Sequence, residues 1–290
     1  MFHSALICTD FTDGLDRLTD CIENLVRGGL SKIVFFHSVP LWEEGNIPRV
    51  DKEKITEVQA LLSKALVHVP DGADIKVEVV SGKPLDNIGK VIDEYGCEVI
   101  IVGTPIRNLI QEKMFGSTSM GFMKSLKKPV MILRPQIVST YTREELALRC
   151  QHLWRYLLLP YNDSDEAKHL VAQVKRFAEK APEGSLQKCY LSWALDDSGI
   201  QRLQIDALKK NAVNKLAAVQ AELEAVGLTV KTSVEVGAPL SKIIEIAIRE
   251  DISAIAIASK PRNQLLELTI HSFASDLLHR NWFPTLFFPM

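Results

Sequence analysis

The sequence has no marked excess of charge of either sign. Its 34 lysine and arginine residues nearly balance its 36 aspartate and glutamate residues, which leaves a formal net charge of −2 at pH 7 over 290 residues. Proteins that hold nucleic acid or an anionic membrane surface usually concentrate basic charge. We therefore expect neither a nucleic-acid partner nor a membrane partner.

Cysteine pairs and long apolar runs are also missing. The five cysteines are scattered, without a CxxC pair or the spacing of a zinc site or a disulfide framework. The apolar segment Ala5–Cys8 is too short for the apolar part of a secretory signal. The longest apolar runs fall far below the roughly 18 to 20 residues that cross a bilayer. These absences predict a cytoplasmic protein without a bound metal.

The chain does contain an internal repeat. Residues Ser81–Ile88 align with Val236–Ile243, and the same offset continues without a gap almost to the end of the chain. Earlier in each half, Leu6–Thr12 aligns with Leu158–Ser164 at a slightly smaller offset. A single duplication with small loop insertions explains both alignments.

The repeat predicts two domains, and half of the chain is long enough to enclose its own apolar core. We expect one domain over residues 1–135 and a second over residues 153–290. The segment 136–152 between them follows Pro135 and contains a charged stretch, so it is predicted to be a linker with a short helical turn.

Short β-branched runs alternate with longer amphipathic stretches in the first half. This alternation predicts an α/β fold with a doubly wound parallel sheet, and the second half reproduces it. The predicted strands are 4–9, 32–38, 74–80, 98–103 and 129–133, and the predicted helices are 13–28, 50–68, 84–95 and 116–127.

The candidate site follows from this topology, because ligands bind beyond the carboxyl ends of the strands in such sheets. Strand one ends at Asp10 and strand four at Gly103. After a loop, Gly116–Ser119 opens a predicted helix whose backbone amides and hydroxyls suit a phosphate. In a simpler interpretation Gly116 is a loop glycine and Ser117 a helix cap.

The spacing of these glycines resembles the ATP-loop signature of the universal stress protein family. In that signature two residues separate the strand-four glycine from a second glycine, and nine more separate the second glycine from a Gly-Ser pair. This sequence has Gly103, then Ile106, then Gly116 and Ser117. The resemblance covers nearly the whole first repeat, since Asp10, His37–Val39 and Gly82–Pro84 also match.

The resemblance implies a tandem of Rossmann-like, adenine nucleotide α-hydrolase-like domains. The strand-one aspartate of the family meets the ribose and phosphates, and the residue after strand two contributes to the adenine pocket, whereas Asp10 could instead be a helix cap. The nucleotide site carried over to this chain consists of Thr9, Asp10, Val39, Val102, Gly103, Gly116, Ser117, Thr118 and Ser119.

Several residues depart from the family pattern. Ile106 stands in place of the second glycine, and because isoleucine disfavours positive φ, it favours weaker binding or a smaller ligand such as AMP. The second repeat departs further. At the positions of Asp10, Gly103, Ile106, Gly116 and Ser117 it has Asn162, Ala258, Pro261, His271 and Ser272. His271 is interpreted as part of a partly buried polar pair, with an acid–base or pH-sensing role as the alternative.

Three functions remain open. The first is a stress-response regulatory protein without dedicated catalysis, whose first half binds ATP or AMP. The second is a universal stress protein that binds no nucleotide and acts through dimerisation or a protein partner, which Ile106 favours. The third, an adenylate-forming or ATP-pyrophosphatase enzyme, lacks its serine-glycine-rich or paired-histidine loop after strand one.

The resemblance also implies an internal pseudo-dimer. In related proteins the fifth strand pairs across a two-fold axis, so residues 130–133 are expected to lie against residues 285–288 within the chain. Such pairing would bury two strand edges that are otherwise exposed.

Overall fold

The computed structural model describes residues 1–42, 48–104, 127–198, 202–260 and 273–290. The chain divides into two compact units. Residues 2–151 form the first unit, and residues 152–290 form the second together with Met1. The two units correspond to the two repeats of the sequence.

The first unit is an α/β fold with a parallel sheet, as predicted. Its strands are β1 (Ser4–Cys8), β2 (Lys32–Val39), β3 (Asp74–Ser81), β4 (Val99–Gly103) and β5 (Val130–Leu133). They are ordered β3-β2-β1-β4-β5, with every pair parallel. Its helices are α1 (Ile22–Arg27), α2 (Lys52–Leu62), α3 (Pro84–Tyr95), α4 (Pro135–Val138) and α5 (Arg143–Gln151), with 3-10 turns at Leu15–Cys21 and Ser63–Leu66.

The second unit repeats this plan. Its strands are β6 (Tyr156–Pro160), β7 (Lys188–Leu195), β8 (Thr229–Val236), β9 (Ala254–Ser259) and β10 (Thr285–Pro289), and their order is β8-β7-β6-β9-β10. Its helices are α6 (Asp165–Ala178), α7 (Arg202–Glu224), α8 (Pro239–Arg249) and α9 (Phe273–Arg280). In the described part of the chain, no helix is both long and apolar enough to cross a membrane.

Local sequence accounts for these elements. The strand Val99–Gly103 is buried along its whole length, as expected for a central parallel strand covered on both faces. Helix α3 begins with Pro84 in its first turn, where a missing amide is tolerated. It ends at Gly96, whose φ of 65° is left-handed and whose amide donates to the Ile92 carbonyl. These signals are readable in the sequence, and their positions match the predictions.

The two repeats share backbone detail as well as strand order. In β1, Cys8 lies in register with Phe36, and in β6, Pro160 lies in register with Ser192. Each of the strands β1 and β6 is followed by a residue with unusual positive φ, which is 63° at Phe11 and 64° at Asp163. Because few residues other than glycine adopt this conformation, its recurrence supports the alignment of residues 6–12 with residues 158–164.

The segment predicted to be a linker contains two helices that pack onto the first unit. Leu146 and Cys150 on α5 are buried, and the chain division falls after Gln151. Gly28, at the end of α1, lies so close that a Cβ there would be 2.7 Å from the Gln151 carbonyl oxygen. Arg143 adds an exposed ion pair with Asp20 at 3.2 Å. Most of residues 136–152 is therefore packed structure, which charge composition alone did not indicate.

In each unit, the strands that follow the first strand are placed on both of its sides, so the order of strands changes direction between two neighbouring strands. In the first unit, β2 and β3 extend from one side of β1, whereas β4 and β5 lie on the other side. Crevices form at the carboxyl ends of the strands at such a switch point. The carboxyl ends of β1 and β4 therefore border the candidate site of the first unit, and those of β6 and β9 border its counterpart.

Candidate functional site

A compact hydrogen-bond network follows β1. The Thr9 hydroxyl donates to Asp13 Oδ1 at 2.9 Å and accepts from the Phe11 amide at 3.0 Å. The same Asp13 oxygen accepts from the Leu15 amide at 2.9 Å, at the start of a 3-10 turn. Thr9 and Asp13 are both buried. Thr9, which was predicted to touch nucleotide, therefore uses its side chain to hold the loop.

Asp10 lies at the exposed side of this loop. Its Oδ1 accepts from the Thr12 amide at 2.8 Å and from the Thr12 hydroxyl at 2.7 Å. Asp10 thus closes a local turn. It is not a helix cap, because the residue that precedes the following 3-10 helix is Gly14. Because its side chain is exposed to solvent, the carboxylate is also accessible to a ligand at the sheet edge.

His37 lies next to this loop. Its Nδ1 is 2.7 Å from the Thr9 carbonyl oxygen, so this nitrogen carries the proton and donates, because a carbonyl can only accept. Its ring packs against Phe11 with 5.2 Å between centroids. The loop is therefore connected to the end of β2, where the adenine pocket was predicted.

Gly103 is in contact with Asp13. A Cβ on Gly103 would lie 2.4 Å from Asp13 Cβ and 2.8 Å from Asp13 Oδ2. No side chain larger than hydrogen fits at such distances. The space left by this glycine, which was predicted to admit a phosphate, is therefore filled by the Asp13 side chain.

The carboxyl of Asp13 has unusual acidity. Burial and, to a smaller extent, the negative charge of Asp10 raise its pKa to about 6, although the hydrogen bonds from the Leu15 amide and from Thr9 lower it. A group with a pKa near neutrality exchanges its proton readily under physiological conditions. Asp13 is thus a titratable group immediately below the candidate site.

Val39 is the last residue of β2 and Val102 the second-last residue of β4, and both side chains are buried in the sheet. The Val39 carbonyl accepts from the Gly82 amide at 2.9 Å, and Val102 lies in register between Cys8 and Ile132. Each valine therefore supports the edge with its side chain and presents only backbone toward a ligand.

Some predicted residues cannot be placed. The residues Gly116, Ser117, Thr118 and Ser119 of the predicted phosphate loop lie outside the described residues, and so do Ile106, Pro261, His271 and Ser272. Two groups at this edge were not predicted, the carboxyl of Asp13 and the hydrogen-bonding imidazole of His37. The sequence did contain a signal for Asp13, since it lies four residues after Thr9 and directly before Gly14.

The corresponding loop of the second repeat is built differently. Asn162 keeps the turn bond, since its Oδ1 accepts from the Ser164 amide at 3.2 Å. Asp163 pairs with Lys215 and, at 3.0 Å, with Lys168, and hydrogen bonds from these two lysines lower its pKa to about 2. The helix cap is Ser164, whose hydroxyl accepts from the Ala167 amide.

Asp165, the counterpart of Asp13, points to solvent. Its side chain is 77% exposed and its Oδ2 lies 3.2 Å from Lys260 Nζ. Ala258 replaces Gly103 at the end of β9, so the space that Asp13 uses in the first repeat is closed by a methyl group. A cavity of about 620 Å³ lies at this edge. Its walls come from the ends of β6, β7 and β9 and from the first turns of α6, α8 and α9.

Comparison with known proteins identifies the family. A model of the universal stress protein family matches residues 1–134 and 154–289. The chain belongs to the universal stress protein family. It contains two family domains in tandem, in agreement with the internal repeat, and the family is one of stress response. A search of curated proteins found no match.

Solved structures of the family share this fold. A universal stress protein from Archaeoglobus fulgidus DSM 4304 is 17% identical, with a TM-score of 0.67 over 99% of this chain and 98% of its own. A putative universal stress protein from Pseudomonas aeruginosa UCBPP-PA14 is 14% identical, with a TM-score of 0.61 over 99% and 93%. At such identities the similarity concerns the fold of the family and carries no ligand to this chain.

No metal site was found in the described ranges, where no group of three histidine, cysteine, aspartate or glutamate side chains is close enough to share an ion. The five cysteines are free, and four of them are buried. At the candidate site of this universal stress protein, the described groups are the Asp10 carboxylate, the backbone ends of β1, β2 and β4, and the protonatable Asp13.

Proposed function

We propose that the first repeat binds an adenine nucleotide, ATP or AMP, at the carboxyl ends of β1 and β4, and that the protein is a cytoplasmic stress-response regulator without dedicated catalysis. The observation that carries this proposal is the position of Asp10. It is exposed at the switch point of a repeat that matches the family, one residue beyond the Thr9 bond that holds the loop.

Each predicted residue has a defined contribution in this proposal. The Asp10 carboxylate accepts hydrogen bonds from ribose hydroxyls, and the backbone at Val39 borders the adenine. The backbone amides at Gly116–Ser119, beyond the described residues, hold the phosphates as amides at helix starts do. Val102 and Gly103 form the floor, with Asp13 packed against Gly103. The ligand therefore rests on backbone more than on charged side chains.

A regulatory role is supported by how the ionisable side chains of the edge are held. The Asp13 carboxyl is buried and bonded to Thr9 and Leu15. The Nδ1 of His37 donates to a carbonyl of the loop. Both groups thus stabilise the loop through these bonds. A catalytic general base must instead reach a proton on the substrate, so this arrangement favours a structural role for both groups. Binding next to Asp13 would instead couple nucleotide occupancy to proton uptake.

The test is calorimetric titration of nucleotide-stripped protein with ATP, ADP and AMP. We expect one site per chain, and Asp10→Ala should weaken it about tenfold through loss of a charged acceptor. The matched control is Asn162→Ala, which removes the equivalent turn bond in the second repeat and should leave affinity unchanged. Gly116→Val should abolish binding if the loop amides hold phosphate. Absence of heat with all three nucleotides would contradict the proposal.

A second candidate function is an interaction module that binds no nucleotide. It is favoured by the second repeat, where Ala258 closes the glycine position and Asp165 turns to solvent. Sedimentation of the stripped protein over a range of concentrations separates the two candidates. Concentration-dependent self-association together with a silent titration would support the interaction module.

A further inference from the structure

The second repeat has a cavity of about 620 Å³ at the carboxyl ends of its strands. Two side chains that are buried at the corresponding positions of the first repeat are replaced or turned outward there. Phe36 is buried in β2 next to Cys8, and its register counterpart beside Pro160 is the much smaller Ser192. Asp13 is buried against Gly103, whereas its counterpart Asp165 is exposed. The change from a phenyl ring to a hydroxymethyl group and the outward position of the carboxylate both reduce the side-chain volume at this edge of the second unit.

The walls of this cavity are mostly apolar. Aliphatic and aromatic side chains come from α6, α8, β9 and α9, and they include Leu170, Ile243, Ile257 and Phe273. Its volume of about 620 Å³ is within the usual range of sites for small organic ligands. A site of this composition gains affinity mainly by removing apolar ligand surface from water.

One polar group in the wall has no assigned role. Ser192 is only 1% exposed. Within the described ranges its Oγ has no hydrogen-bond partner. An unpaired buried hydroxyl is costly, so a native structure usually supplies a partner for it. Because Ser192 borders the cavity, a ligand with one hydrogen-bonding group could supply this partner.

The charges at the rim disfavour a phosphate. Glu166 borders the cavity in the first turn of α6, where a phosphate would otherwise be attracted to the helix amides. The adjacent Asp165 adds a second carboxylate, and Lys260 is already paired with both, at 3.2 Å and 3.9 Å. Ala258 adds a methyl group where the first repeat has glycine. The site differs from the proposed nucleotide site in charge as well as shape.

We infer that the second repeat binds an uncharged, mostly apolar small molecule in this cavity, with one polar group of the ligand hydrogen-bonded to Ser192. The two repeats then have different ligands at equivalent positions, a nucleotide in the first and a neutral apolar compound in the second. The inference about the second repeat holds whether or not the first repeat binds nucleotide.

The test uses indole and indene, which have nearly the same shape but only one of which has an N–H group. Calorimetry should give one indole site per chain and weaker binding of indene. Ser192→Ala should weaken indole about tenfold and leave indene unchanged, because it removes the hydrogen-bond partner of the N–H. Ser192→Phe restores the residue of the first repeat and should abolish binding of both.

Further variants separate this site from the nucleotide site and from unfolding. Ala194→Leu fills the same cavity from a neighbouring position of β7, so it should also abolish binding even if Ser192→Phe does not fold. Asp10→Ala should leave indole binding unchanged, and AMP and ATP should not displace indole. The inference is wrong if indole does not bind, if AMP displaces it, or if it still binds to a folded, cavity-filled variant.

Discussion

Asp13 packs directly against Gly103, so that a methyl group on the glycine would lie 2.4 Å from the aspartate Cβ. The two residues belong to different parts of the chain, the loop after β1 and the end of β4. The contact joins the loop after β1 to the last residue of β4 at the candidate site. It also explains a difference between the repeats. In the second repeat Ala258 stands at the position of Gly103, and the side chain of Asp165, the counterpart of Asp13, is turned outward.

Gly103→Ala should destabilise the first repeat by about 1 to 3 kcal/mol, because the added methyl must displace Asp13 from a packed site. Denaturant unfolding followed by far-ultraviolet circular dichroism measures the change. The matched control is Ala258→Gly, which reverses the difference in the second repeat and should cost only about 0.5 to 1 kcal/mol from added backbone freedom. Equal effects of the two substitutions would argue against the Asp13 contact.

Asp13→Asn should stabilise the protein above pH 6. The pKa of Asp13 is about 6 in the fold, compared with an ordinary value of 3.8. The folded protein therefore holds a proton that the unfolded chain has released between these values. The contribution of this carboxyl to the free energy of unfolding is fully present below about pH 4 and is lost as the pH rises through 6. Asparagine keeps the hydrogen bonds from Thr9 and Leu15 and removes the buried charge. The free energy of unfolding should therefore increase by up to about 3 kcal/mol at pH 8.

Unfolding free energies measured from pH 4 to pH 8 test this prediction. The wild-type curve should fall between pH 4 and 6, and the Asp13→Asn curve should fall less over the same interval. Asp165→Asn is the control in the second repeat, and it should change stability little because its side chain is exposed. Parallel curves for wild type and Asp13→Asn would sink the assignment of a raised pKa to this carboxyl.

Gly28→Ala tests whether the segment after β5 is part of the first unit. The added Cβ would lie 2.7 Å from the backbone oxygen of Gln151 in α5, so the helix must shift. We expect a loss of about 1 to 3 kcal/mol. Gly89→Ala is the control, because Gly89 lies within α3 with no atom near its Cβ position, and alanine there should stabilise by about 1 kcal/mol. A neutral Gly28→Ala would indicate that α5 is not held against α1.

Cys97 and Cys189 should react slowly with thiol reagents in the folded protein. Burial raises the pKa of Cys97 to about 11 and that of Cys189 to about 12. The reacting species is the thiolate, so both should react with an aromatic disulfide reagent far more slowly than an exposed cysteine. Peptide mapping after timed labelling measures each site, and all five should react quickly once the chain is unfolded in guanidinium. Rapid labelling of both in the folded state would contradict this prediction.

Much of the fold was predictable from the sequence because its signals are local. Apolar runs such as Val99–Val102, the proline and glycine at the ends of α3, and the duplication indicate a parallel α/β repeat, and the strands lie within a residue or two of their predicted positions. The candidate edge was also predictable, since topology alone directs attention to the ends of β1 and β4. Asp10 and Gly103 do lie there.

The sequence by itself thus determined the repeat, the order of strands and helices, the family, and the edge of the sheet that forms the candidate site. Only the tertiary structure decided what fills that edge. The contact of Asp13 with Gly103, the cavity beside Ser192 and the docking of α5 on α1 depend on distances between segments that are remote along the chain. Periodicity and propensity describe a residue and its near neighbours, whereas packing is decided by the side chains that meet across the fold.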